Sequence, residues 1–138
     1  MEASKVVTCF LKYRDRILIA RRSKEVGTYK RKWAGISGFI EGDENPIETA
    51  HREIKEETGI QRDKVVLLKR GKSFKVRDEK MGKMWIVHPF LFETMTGKIK
   101  LDREHKEYKW IKPSELSNYE TVPQLEKSLH NVLSSDSP

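Results

Sequence analysis

Three glutamates, Glu53, Glu56 and Glu57, are spaced to do chemistry together. Positions i, i+3 and i+4 share one face of a helix, so the three carboxylates would crowd onto one patch. Like charges at that spacing repel and lower helix stability. A patch that costs stability suggests a divalent cation holding it together, and hard oxygen donors of this kind suit Mg²⁺ or Mn²⁺.

The element that must carry the patch is well signalled. Asn45 is a good N-cap, Pro46 fits the first helical position, and Glu48 stands three residues after Asn45 as in a capping box. Gly59 fits the residue that ends the helix. Ile47, Ala50 and Ile54 give a buried stripe, with the carboxylates expected to face out. Gly38, Gly42 and the acidic Glu41, Asp43 and Glu44 form the entering loop, where glycine permits a sharp turn and a close carbonyl approach.

The stretch Gly38 to Ile60 resembles the signature of the Nudix hydrolases, G-x5-E-x7-R-E-U-x-E-E-x-G-U, where U is a bulky aliphatic residue. Gly38, Glu44, Arg52, Glu53, Ile54, Glu56, Glu57, Gly59 and Ile60 each stand on a motif position without gap or substitution. The resemblance implies a mixed β-sheet between α-helices, an α/β or α+β fold, and hydrolysis of a diphosphate linked to a further moiety. It implies Glu53, Glu56 and Glu57 as metal ligands, the Gly38 carbonyl as a further ligand, and Glu53 also as a candidate base. Arg52 would orient a carboxylate, and Glu44 would brace the loop against the helix. In this family the base is sometimes a residue near the late strands. In Arg103 to Trp110, REHKEYKW, Glu104 is the first choice and Glu107 the second. A catalytically silent binding domain on the same fold is the alternative.

Charge distribution agrees with a polyanionic substrate. The whole chain carries +7, yet Gly38 to Ile60 holds seven acids against two bases. Arg21 to Lys32 has six bases against one acid, and Lys69 to Lys83 seven against two. Such a basic frame could steer phosphate toward an acidic metal site. Arg21, Arg22, Lys32 and Trp33 are the candidate substrate-binding residues, and Tyr29 and Trp85 could also stack a base. Nucleic acid, including a 5′-pyrophosphate or cap, is allowed on charge but not favoured, because aromatic residues are thinly interleaved.

A length of 138 residues fits one domain, expected over 1–138 with a disordered tail at 133–138. Without an apolar run of membrane length, a signal-peptide pattern or a second cysteine beside Cys9, a cytoplasmic protein is expected, as monomer or homodimer. His51, His88 and His130 read as structural. Strands are expected at 5–13, 16–22, 33–36, 64–69, 84–94, 99–101 and 107–111, with Pro89 marking a bulge or an edge. An amphipathic helix is expected at 123–133.

Overall fold

Apolar residues on both faces of the long strands require cover on both sides of the sheet. The computed structural model, which describes residues 2–136, provides it with two helices. In chain order the elements are β1 (Glu2–Tyr13), β2 (Arg16–Arg22), β3 (Trp33–Ala34), β4 (Ile36–Phe39), α1 (Pro46–Thr58), β5 (Val65–Arg70), β6 (Phe74–Asp78), β7 (Lys83–Thr94), β8 (His105–Ile111) and α2 (Leu125–Leu133). Short 3₁₀ turns occupy Arg62–Lys64 and Pro113–Asn118.

The central pair is β1 and β7, which run parallel from Glu2↔Lys83 to Lys12↔Glu93. The other pairings are antiparallel, so the sheet is mixed. Alternation sorts the side chains. Val7, Cys9 and Leu11 of β1 and Phe90 and Phe92 of β7 pack with Ala50 and Ile54 of α1. Phe10 and Leu91 point the other way, against Leu125, Leu129 and Val132 of α2. Ile54 is fully enclosed, so Ile54→Ala would cost roughly 2–5 kcal/mol and loosen α1 from the sheet.

α1 begins and ends where its capping residues stand. The Asn45 side chain accepts from the Ile47 amide at 2.9 Å, and Gly59 closes the helix at φ +78, a left-handed conformation that glycine adopts without strain. Glu48 does not complete a capping box. Its carboxylate is taken by Arg62, at 2.7 and 3.0 Å.

Four other expectations need correction. Pro89 lies in a central strand, not at an edge. It falls where β7 changes partner, with β6 paired up to Val87 and β5 from Phe90 on, so its missing N–H breaks no ladder there. Residues 99–101 are not a strand; the segment crosses the end of α1, where the Lys100 amide donates to the Thr58 carbonyl. β6 was hidden inside a basic run, because Lys75 and Arg77 face out while Phe74 and Val76 turn inward. In the tail, Ser134 donates to His130 and Ser135 to the Arg70 carbonyl; 137 and 138 lie outside the described residues.

Candidate active site

The carboxylates of α1 do not all face out. Ala50, Ile54 and Glu57 are separated by four and three residues, so Glu57 continues the buried stripe. It is 4% exposed, and Glu53 is half-buried beside it, whereas Glu56 is open to solvent. Burial pushes the Glu57 carboxyl well above the usual carboxylate range, helped by the neighbouring Glu53. Burial also raises Glu53, against the opposing pull of Arg52. The pair thus resists carrying two negative charges at once.

One turn away the electrostatics reverse. Arg52 grips Glu44 with two hydrogen bonds, Nε to Oε2 at 3.1 Å and Nη2 to Oε1 at 2.8 Å. Its third branch, Nη1, donates to Glu53 Oε1 at 2.8 Å, and Nη2 also reaches the Phe39 carbonyl. Thr49 adds a hydroxyl to Glu44 at 2.7 Å. The Arg52 bonds, then the Thr49 bond, hold Glu44 down at about 2. Arg52 therefore ties the entering loop, β4 and Glu53 into one unit, as a forked donor can and a point charge cannot.

Gly38 approaches the same place from β4. A β-carbon at 38 would overlap the Glu53 carboxyl group, so only glycine leaves that carboxylate where it is.

These residues meet a cavity of about 680 Å³, the size of a small-ligand site. Glu53, Glu56, Arg52 and Gly38 line it, as does Glu104, which is exposed at its rim. Glu57 stands behind Glu53. Glu107 is turned away and pairs with Arg21 at 3.3 Å.

Of the four candidate substrate-binding residues, Arg22 alone lines the cavity, its guanidinium tied to Thr28. Arg21 is committed to the Arg31 carbonyl and Glu107, Lys32 to Glu120 at 3.3 Å. Trp33 is a core residue, clustered with Leu116, Val122 and Leu125 and edge-on to Tyr119 at 5.3 Å, so its ring does not line the cavity. Tyr29 and Trp85 do line the cavity, and so do Phe39 and Arg103, which sequence reasoning passed over. Phe39 is 52% exposed beside Trp85, with ring centroids 5.8 Å apart. The signal for it was faint: an aromatic residue directly after the motif glycine. Tyr29 donates to Asp78 at 2.6 Å, which straps the 23–32 loop to β6; burial, and then this bond, pushes its hydroxyl up to about 12. The basic run at 69–83 contributes only the apolar Val76 to the wall.

His51 packs edge-on to Phe92, His88 is half-buried, and burial lowers both. Cys9 is buried in β1, and burial raises its thiol, so it is not poised as a nucleophile.

The donor set suits a hard divalent cation. Glu57 Oε2 is buried without a hydrogen-bond partner, a costly state for a polar atom, and the Glu53 carboxylate is its neighbour. Among the described residues no three acidic, histidine or cysteine side chains are already gathered round one point. Glu56 leans toward Arg52 at 3.8 Å and would have to swing to join Glu53 and Glu57.

The fold recurs in solved structures. A MutT protein from Methanosarcina mazei Go1 is 25% identical, with a TM-score of 0.76 over 93% of this chain and 91% of that one. A MutT NUDIX hydrolase from Burkholderia pseudomallei is 18% identical, with a TM-score of 0.79 over 96% and 99%. An Ap4A hydrolase from C. elegans is 16% identical, with a TM-score of 0.76 over 93% of each chain. No curated protein sequence matches the chain. The model of the NUDIX domain matches residues 3–132, so the chain belongs to the NUDIX family and is a hydrolase acting on phosphoric anhydride bonds.

Proposed function

We propose that this hydrolase is a Mg²⁺-dependent pyrophosphohydrolase, with Mn²⁺ as the other ion its donors suit. Its substrate is a nucleoside diphosphate derivative: a nucleotide sugar, an ADP-ribose-like molecule or a nucleoside triphosphate. The observation that carries this reading is the buried Glu57 carboxyl, its Oε2 unpartnered, beside Glu53 on the wall of a cavity that Tyr29, Phe39 and Trp85 also line.

Glu53, Glu57, a reoriented Glu56 and the Gly38 carbonyl would hold the cation. When bound, it would offset charge on the phosphoryl oxygens and lower the pKa of water. The chain's own groups do the rest. Arg52 holds Glu53 in place and leaves it only one oxygen free of the guanidinium. Glu104 would accept a proton from water; that it lines the cavity while Glu107 pairs with Arg21 supports this choice. Arg22 and Arg103 bring positive charge to the cavity for the phosphates, and the rings offer a face for a base.

The test is release of phosphate and nucleotide from a panel with Mg²⁺. The panel holds nucleoside triphosphates, nucleotide sugars, ADP-ribose, dinucleoside polyphosphates and 5′-triphosphate RNA. Turnover of one small-nucleotide class, lost in Glu57→Gln, supports the reading. Turnover of RNA alone replaces the substrate, and no turnover with cation bound replaces the enzyme by a binding domain.

A further inference from the structure

Behind Glu57 lies a histidine that neither the motif nor the reaction accounts for. His105 opens β8, and its imidazole is 2% exposed. Nδ1 lies 2.7 Å from Asp102 Oδ1, and Nε2 lies 3.5 Å from Glu57 Oε1. The first contact is a short hydrogen bond that fixes the ring plane; the second is a contact in ion-pair range. The result is a row, Asp102 to His105 to Glu57, that ends on one named oxygen. The other oxygen of Glu57, Oε2, has no partner.

The row is expensive as structure. Three polar side chains meet at the join between α1 and β8, where apolar groups would pack without desolvation cost. A glutamate has three side-chain torsions, and a carboxylate free to rotate would present either oxygen. With Oε1 facing the ring at 3.5 Å, Oε2 is the atom left over.

We propose that His105, held by Asp102, is a positioning residue: it fixes Glu57 so that Oε2 is the oxygen offered to the cation. This rests on the reading of Glu57 as a cation ligand given above. Partners behind a metal ligand typically change metal affinity or activity by roughly 10–100-fold when removed.

Two substitutions separate the ends of the ring. The amide of asparagine can take the place of Nδ1 and keep the Asp102 contact but lose Glu57. The amide of glutamine can take the place of Nε2 and keep Glu57 but lose Asp102. Mn²⁺ binding by the substrate-free protein, followed by water-proton relaxation, is the readout. His105→Asn should weaken Mn²⁺ about 10–100-fold, and His105→Gln should restore most of that affinity. On whichever diphosphate is hydrolysed, kcat should fall in His105→Asn with KM little changed. A histidine that merely held β8 against α1 would give two variants with equal losses in melting temperature and native Mn²⁺ affinity, and that result overturns the proposal. If His105→Asn does not fold, Asp102→Ala replaces it: weaker Mn²⁺ binding supports the role, and unchanged binding overturns it. Because the titration needs no substrate, weaker binding supports the role even if no diphosphate is hydrolysed. A native chain that binds no Mn²⁺ overturns it.

Discussion

Glu44 and Glu57 belong to one motif, yet they stand in opposite electrostatic settings. Glu44 has Arg52 and Thr49 on its oxygens and is held down at about 2. Glu57 is sealed behind Glu53, with one oxygen unpartnered, and is pushed well up. The first carboxylate is satisfied and works as a brace. The second is left unsatisfied by the fold and is therefore available to a cation. Stability is gathered on the loop side of Arg52 and sacrificed on the sheet side, a division expected of a functional site.

The largest effect should come from the unsatisfied side. Glu53→Gln or Glu57→Gln should lower diphosphate hydrolysis by roughly 10²–10³-fold or more, the scale of losing one group that stabilises charge in the transition state, because a cation ligand is lost. The same Glu57→Gln protein, melted in EDTA, should be more stable than the native chain, because a buried group that resists charge has been made neutral. A lower melting temperature in EDTA would mean that Glu57 is a satisfied structural residue like Glu44. Next comes Gly38→Ala, which pushes against the Glu53 carboxylate. Activity should fall about 10²-fold with circular dichroism unchanged, as for a reacting group displaced by about 1 Å. Full activity would show that the close approach has no part in the chemistry.

Arg52→Ala tests the bridge between the two sides. Loss of the fork frees Glu44 and the Phe39 carbonyl at once and leaves Glu53 unguided, so hydrolysis should fall roughly 10–100-fold and the melting temperature should drop. Arg52→Lys should recover little of either, since an ammonium cannot fork across Glu44 and Glu53.

The smallest effect is on the pH profile of stability. Glu57 and Glu53 are raised in the fold, so their contribution is complete below the ordinary value of 4.5 and is lost as pH rises through the raised values. Glu44 is lowered, so its contribution is present above 4.5 and is lost as pH falls toward about 2. In EDTA the melting temperature should therefore decline on both sides. Glu57→Gln should flatten the limb above 4.5, and Glu44→Gln the acid limb. Identical slopes in the native and Glu57→Gln proteins above 4.5 would remove the contrast between the two carboxylates.

Much of the site was legible before folding was considered. Asn45, Pro46 and Gly59 marked the helix, and the spacing of Arg52, Glu53, Glu56 and Glu57 marked its purpose. Glu57 was misread as outward although it extends the stripe of Ala50 and Ile54. The charge of a side chain usually predicts its exposure, and a buried carboxylate is the exception that function makes. β6 was missed for the opposite reason: Lys75 and Arg77 made a half-buried strand look like a basic loop.

Helix boundaries, caps and the spacing of the carboxylates depend on residues within a turn or two, so the order of residues was enough to determine them. Exposure and pairing depend on partners far along the chain. Arg21 meets Glu107, Lys32 meets Glu120, Trp33 meets Tyr119, and His105 meets Glu57. Desolvation is a property of everything packed around a group, and local order does not contain it. The tertiary structure therefore decided which basic residues reach the cavity, which tryptophan lines it, and which of three similar glutamates is buried.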